Sequence, residues 1–413
     1  MESNFVPFEK KQLLQQKHDK HTFTYAISKL FERGGYYGLR AILILYMVGE
    51  TLNMSDIEAI SVYGLFASTI IISQIIGGVL GDLFLGNKNS VILGGILQAL
   101  GAFFLCIPAT SVLYIGMFFI VIGGGLYTPN ILSLYGKSYL TKPKLLDSAF
   151  SILYIATNIG AFISALLVGY IAYEFSFQKG FATAGIFFML SVILPLFLKE
   201  KKLLKLTHPT VAMNKRVTVI LIICMLSGTF WGIYETIGFA IFDIKSKIIE
   251  VSTLKIPNGI WDGLDTILVF SLSFIAAIVW TFTYYNQFIK LTIGFLFATT
   301  AICILFYIPE LPSENHSIYY LTAIFFLAIA EIHINPIIRS LLTLYTNPKY
   351  LAILMSVLFL PYKIVYALIM LVFNDTLNDN ASLALKVSTL FLGAMSIGLI
   401  IFLRNSSKWF LKR

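Results

Sequence analysis

Charge is scarce in this chain. Only 12% of its 413 residues are Asp, Glu, Lys or Arg, where a soluble chain holds about a quarter. That shortage excludes an ordinary water-soluble domain. Cysteine is nearly missing as well. Cys106, Cys224 and Cys303 all fall inside apolar runs, which excludes a disulfide framework and a Cys-based metal spacing. With five histidines and no nucleophile set beside a base, no catalytic or metal constellation emerges. We therefore expect no enzyme chemistry and no cofactor. The glycine pairs at 77–78 and 94–95 follow no strand, so a phosphate loop is excluded and close helix contact is their expected use. The first 22 residues are polar and basic, and they lack the short apolar core of a cleavable signal peptide.

What the chain has in abundance is apolar length. Hydrophobic residues make up 58% of it, and the mean hydropathy is +0.83. Apolar runs long enough to cross about 30 Å of hydrocarbon as a helix recur from end to end. We read twelve membrane-spanning helices, at 23–49, 56–82, 90–107, 113–136, 148–173, 179–198, 217–242, 267–285, 289–309, 318–346, 350–373 and 382–404. The fold class expected is an all-α membrane protein. The pI of 9.2 does not imply nucleic acid, because of where the basic residues stand. They crowd the segments on the side of the two ends, whereas the opposite loops hold only Lys179, Lys245, Lys247 and Lys255. Such asymmetry places both termini in the cytoplasm of a multi-pass protein of the cell (inner) membrane. Lipid is thus an expected partner and nucleic acid is not, and we expect a monomer.

A basic loop at 199–216 divides the spans six and six. The expected organisation is an N-terminal segment (1–22), a six-helix bundle (23–198), the basic linker (199–216), a second six-helix bundle (217–404) and a C-terminal tail (405–413). Two parallel halves related by an axis along the membrane normal enclose a solute site near mid-membrane in transporters of this plan. The fourth and tenth spans carry "YTPN" (127–130) and "INPI" (334–337) at similar depth. Helices interrupted by proline at matching positions of two halves point to a binding site.

The first span is the least expected feature. "KLFERGGYYGLR" (29–40) carries Lys29, Glu32, Arg33 and Arg40. At helical spacing Lys29, Arg33, Tyr36 or Tyr37, and Arg40 share one face, and Glu32 is placed to pair with Lys29. Glu235, Glu331, Arg339 and Lys363 bring the mid-span ionisable residues to eight. Facing lipid at roughly 2.5–3.5 kcal/mol each, they would cost on the order of 20–28 kcal/mol. A fold holds only ~5–15 kcal/mol in reserve. They must pair or line a wet cavity. Five cations against three carboxylates cannot neutralise one another, so a polar transport pathway is expected. The excess of cations suits a solute with a carboxylate, and Glu331 opposite could take an ammonium group. Two or three extended residues would bridge roughly 7–11 Å between such groups. An amino acid or another organic anion suits the same charges.

These residues resemble a known family, the proton-dependent oligopeptide transporters of the major facilitator superfamily. Glu32, Arg33, Tyr36, Tyr37, Gly38 and Arg40 are similar to that family's Glu-x-x-Glu-Arg-Phe-x-Tyr-Tyr-Gly-Met-Arg pattern. "GGVLGDLFLGNKNSVILGGILQALG" (77–101) resembles its second-to-third helix signature. "TPNILSLYGKSYL" and "DSAFSILYIATNIGAF" resemble its fourth and fifth helices, "FWGIYETIGFA" its seventh and "AEIHINPIIRSLLT" its tenth. The match is strong over 29–170 and patchy after 240. The resemblance implies symport of di- and tripeptides with protons. It implies that Arg33 and Arg40 help hold the peptide carboxylate, that Asn158 contacts the peptide backbone and that Glu331 holds the amino terminus. Proton coupling would be tied to Glu32 and Glu235.

The chain departs from the pattern in several places. Lys29 stands where the family has its first glutamate, Thr128 where it has a fourth-helix lysine, and Ile71 where it has a tyrosine. "LDT" (264–266) replaces a clear Asn-Pro on the eighth helix, Lys363 is unexpected, and an 18-residue linker has no room for the two extra helices of many bacterial members. Moving a cation from the fourth helix to position 29 transfers it between walls of the cavity, so Lys29 joins the expected substrate-binding set with Tyr36 and Tyr37. Coupling then runs through Glu235 or Glu331 alone, or is lost. Asp82 and Lys88 are expected to gate or brace the inner turn. His333 lies about 200° around the helix from Glu331 and reads as a packed histidine. The rival readings are a divergent member carrying another carboxylate-bearing solute with altered or no proton coupling, and, from another class, a non-transporting membrane sensor or an integral-membrane enzyme.

Overall fold

In the computed structural model of the protein the described residues are 17–198, 212–254, 256–358, 360–373 and 381–410. Helices α1 (Lys20–Val48), α2 (Asp56–Leu80), α3 (Asn87–Phe104), α4 (Thr110–Ser138), α5 (Leu146–Glu174) and α6 (Phe177–Phe197) form the first half. The second half comprises α7 (Met213–Thr236), α8 (Gly238–Val251), α9 (Asn258–Phe282), α10 (Gln287–Phe306), α11 (His316–Tyr345), α12 (Leu351–Val357), α13 (Leu360–Phe373) and α14 (Ala381–Phe410). Among the described residues there is no strand. In hydrocarbon each backbone N–H and C=O needs a partner within its own segment, and a helix supplies one.

Among the described residues ten helical stretches are long and apolar enough to cross a membrane by length and composition. The two that fall short by that measure are α1, with its charges, and α3, with its polar first turn. With α7 and α8 forming one crossing, and α12 and α13 another, the chain is a twelve-helix, all-α membrane protein. Twelve crossings bring both ends to one face of the bundle, called here the terminal end. Most of the expected linker and parts of both end segments lie outside the described residues.

Two sequence expectations shift. The seventh crossing continues through Ile237 to Val251, and the eighth begins at Asn258, nine residues before the expected start. Alternating polar and apolar residues there made a loop of what is helix. Nor do the prolines interrupt the fourth and tenth crossings: Pro129 lies within α4 and Pro336 within α11. Neighbouring helices hold the backbone groups freed by such prolines. The breaks fall instead after Thr236 and Val357.

Short side chains set the tightest packing. A Cβ on Gly94 would come within 2.6 Å of the Gly123 carbonyl, and one on Gly101 within 2.6 Å of the Gly116 carbonyl. Helices α3 and α4 therefore touch through backbone, as small-residue seams allow in membranes. Past α2, a π-helical turn (Gly81–Leu85) leads to Gly86 at φ 81°, a left-handed conformation that favours glycine. That turn aims Asp82 at the other half.

One large apolar cluster joins α4 and α5 of the first half, through Tyr135, Phe150 and Leu146, to Leu342, Leu351 and Met355 of the second. The polar contacts between the halves share that level or lie deeper toward mid-membrane. Charged and polar contacts of Asp82 and Asp147 tie the halves together at the terminal end.

Candidate functional site

Helix α1 assembles its charges around one carboxylate. Glu32 is fully buried and accepts Lys29 Nζ at 2.8 Å on Oε2, Arg33 Nε at 2.7 Å on the same oxygen and Arg33 Nη2 at 2.7 Å on Oε1. Gln98 Nε2 of α3 donates to Oε1 at 3.3 Å. Thr128 Oγ1 of α4 then accepts both cations, Lys29 at 3.1 Å and Arg33 at 3.0 Å. The threonine replacing the family's fourth-helix lysine thus receives the lysine that α1 supplies. Lys29 is buried, with its ammonium 5.5 Å from the Tyr127 ring. A Cβ on Gly160 of α5 would sit 2.2 Å from the Leu30 carbonyl, so a bare glycine lets α5 press against α1 here.

Arg33 and Arg40 flank Tyr36, at 4.9 and 5.6 Å from the ring centroid. Arg40 donates from Nε to Tyr63 Oη at 2.5 Å and lies 5.6 Å from Tyr37. Both arginines are half-buried, Tyr36 is buried and Tyr37 half-buried. The cations of α1 thus stand on a tyrosine wall that stabilises positive charge without neutralising it.

The second half presents its groups singly. Glu331 of α11 is buried and accepts the Tyr154 hydroxyl of α5 in a very short contact, a bond that crosses between the halves. Asn158, one turn along from Tyr154, is half-buried and donates Nδ2 to the Tyr154 carbonyl at 3.0 Å. Glu235 of α7 pairs with Lys363 of α13 at 2.6 Å, and their side chains keep 34% and 40% exposure. That pair is more exposed than the α1 cluster. His333 packs edge-on against Trp280, centroids 5.6 Å apart, and bonds the Ile329 carbonyl.

Glu32, Arg33, Lys29, Tyr36 and Arg40 therefore form one group on α1. Asn158 and Glu331 lie along the α5–α11 contact, and Glu235 stands apart with Lys363. Asp82 and Lys88 take different partners. Asp82 accepts the Ile353 backbone N–H of α12 at 3.0 Å, Asn87 Nδ2 at 3.0 Å and Lys137 Nζ at 3.5 Å. Lys88 instead donates to the Leu196 carbonyl within its own half.

Sequence reasoning missed a second buried charge cluster. Asp147, at the start of α5, takes Lys290 Nζ at 2.6 Å, Gln287 Nε2 at 2.5 Å and Ser340 Oγ at 2.5 Å, all from the second half. Both charged partners are almost wholly buried. Near it, His18 contacts Tyr139 at 2.6 Å, Ser148 at 2.8 Å and Thr281 at 3.2 Å. In sequence Asp147 and Lys290 look like ordinary loop-edge charges. Only the short polar edge "NQFIK" (286–290) running into an apolar span hinted that Lys290 turns inward.

With that geometry in view, the comparisons with known proteins are consistent. A family model of the Major Facilitator Superfamily matches residues 25–402, and the chain belongs to that family. It is 34% identical over 191 residues to the uncharacterized transporter YclF of Bacillus subtilis, covering 45% of this chain and 39% of that one. It is 33% identical over 200 residues to dipeptide and tripeptide permease A of Citrobacter koseri, covering 48% and 40%. The chain thus spans about two-fifths of the length of the curated relatives it matches. Among solved structures it is similar to a POT family transporter in complex with 5-aminolevulinic acid, with TM-score 0.66, 20% identity and coverage of 95% and 98%. It is also similar to the proton:xylose symporter XylE, with TM-score 0.68, 18% identity and coverage of 93% and 94%. At these identities the likeness concerns the fold. The chain is a multi-pass membrane protein of the Major Facilitator Superfamily.

Proposed function

We propose that the protein is a secondary transporter of the oligopeptide branch, carrying di- or tripeptides by alternating access with protons, across an inner membrane with both termini in the cytoplasm. The observation that carries this reading is the opposition of charge across the two halves. A cation group on α1 faces inward from the first half, and Glu331 on α11 faces inward from the second. In this reading Arg33, Lys29 and Arg40 draw the peptide carboxylate, Tyr36 and Tyr37 flank it, Asn158 bonds the backbone, and Glu331 exchanges Tyr154 for the terminal ammonium. The similarity to dipeptide and tripeptide permeases supports the solute class.

Proton coupling is assigned to Glu235 rather than Glu32. Glu32 is saturated by two cations and Gln98, so releasing it requires dismantling the cluster. Glu235 holds one partner and is partly exposed, so a proton can reach it and free Lys363. The two bundles at 23–198 and 217–404 rock about the site, and Asp82 and Asp147 lock the terminal end while the opposite end admits solute. A protein saturated at Glu32 also suits a carrier of another carboxylate-bearing solute with weakened coupling. Uptake of labelled Ala-Ala into proteoliposomes, with and without an imposed pH gradient, separates these. Accumulation that follows the gradient supports peptide symport. Exchange that ignores the gradient supports the uncoupled carrier, and no exchange of any peptide or amino acid rejects transport of this class.

A further inference from the structure

Counting partners leaves one cation over. Glu32 is shared by Lys29 and Arg33, Glu235 by Lys363, and Arg40 rests on Tyr63 and its rings. Among the described residues Arg339 of α11 forms no ion pair, and its Nε is sealed from solvent without a hydrogen-bond partner. A guanidinium nitrogen buried without an acceptor is costly. It calls for an anion that arrives from outside.

Geometry says where that anion would sit. Thr343 bonds the Arg339 carbonyl at 2.8 Å and packs on α4, where a Cβ on Gly136 would lie 2.8 Å from Thr343 Oγ1. From that contact Arg339 is one helical turn back along α11, and Thr128 is about two turns back along α4. Both lie toward mid-membrane. Helical side chains lean toward their own N-terminus. Helix α11 runs toward the terminal end and α1 runs away from it, so Arg339 leans to mid-membrane while Lys29 and Arg33 lean to meet it. Arg339 indeed lies within electrostatic reach of both Arg33 and Lys29. Three cations against the single carboxylate of Glu32 leave a local surplus of two positive charges.

A zwitterionic peptide brings one carboxylate to this place and leaves one charge unmatched. We propose that Arg339 joins Lys29 and Arg33 in an anion site spanning the two halves, built for a solute end bearing two negative charges. The favoured peptides are then those whose carboxyl-terminal residue is acidic, or whose terminal carboxylate is replaced by a phosphonate. The choice of peptide rests on the function proposed above, while the anion site itself does not.

The test is equilibrium binding to the purified full-length protein of Ala-Ala, Ala-Asp, the phosphonate analogue of Ala-Ala, and phosphonoacetate, which has no peptide bond. We expect Ala-Asp and the phosphonate peptide to bind at least about tenfold tighter than Ala-Ala, the scale of one charge-assisted contact. Arg339→Gln should bring that ratio close to one, and Arg339→Lys should keep most of it. A wild-type ratio near one overturns the proposal whatever the stability of the variant, and so does a ratio that Arg339→Gln leaves unchanged. Arg339-dependent binding of phosphonoacetate without binding of any peptide upholds the anion site and rejects peptides as the solute. Peptide binding without charge preference rejects the anion site alone.

Discussion

The two halves handle buried charge differently. The first gathers Lys29, Glu32 and Arg33 within two turns of one helix and closes them with Thr128 and Gln98 of neighbouring helices. The second scatters Glu235, Glu331, Arg339 and Lys363 over three helices, where Glu331 meets Tyr154 and Glu235 meets Lys363 as single contacts. A clustered network is stiff, since Lys29, Glu32, Arg33 and Thr128 each have more than one partner. Single contacts are exchanged one at a time. The first half is thus suited to hold an anchor point, and the second to supply partners that let go as a solute arrives.

That contrast can be broken most severely at Glu32. Glu32→Gln leaves two buried cations around a neutral amide, and losing one side of a buried ion pair costs roughly 3–5 kcal/mol. We expect greatly reduced detergent-stable protein, measured as monodisperse yield, and no uptake. Next comes Asp147, which ties α5 to α10 and α11. Asp147→Asn strands Lys290 and should destabilise the closed terminal end by roughly 3 kcal/mol. A cysteine introduced at Thr346, buried where α11 ends, in a protein whose Cys106, Cys224 and Cys303 are replaced, should then label from that end faster than in the same protein with Asp147 intact.

Glu331→Gln should be gentler on the fold, because Tyr154 can still donate to the amide oxygen. Peptide affinity should fall about tenfold or more, as loss of a charge-assisted contact implies, with protein abundance near wild type. Loss of abundance in step with uptake would make the second half's contacts as structural as the first half's.

The smallest effect is at His18. Burial and the Lys142 ammonium hold its imidazole below the ordinary value of 6.5, with Asp19 opposing them. A group whose folded pKa is depressed in this way favours the folded contact when neutral. That contribution is full above the ordinary value and is lost as pH falls through the lowered one. Between about pH 8 and about pH 5 the melting temperature should drop slightly more in wild type than in His18→Gln.

The same contrast explains how much was legible in the sequence. Crossings were legible wherever apolar runs were long, and the α1 cluster because its charges repeat at helical spacing within twelve residues. The resemblance of 29–170 to a known pattern reinforced that region. The second half was harder, because its partners come from different helices. Nothing at Glu331 announces Tyr154, which is 177 positions away. Asp147 and Lys290 are 143 positions apart and each looks like a solvated loop charge. The helical stretch after Ile237 and the early start of α9 escaped because their polar residues mask helical periodicity. The prolines of α4 and α11 marked helices that lean on the other half, but not breaks.

The central claim is that the α1 cations grip the solute itself. Its most direct test is counterflow of labelled Ala-Ala in proteoliposomes carrying equal amounts of wild-type protein or Arg33→Ala. The account predicts exchange by wild type and none above empty vesicles by the variant, with both reconstituted to the same extent. Undiminished exchange per molecule in Arg33→Ala would contradict it.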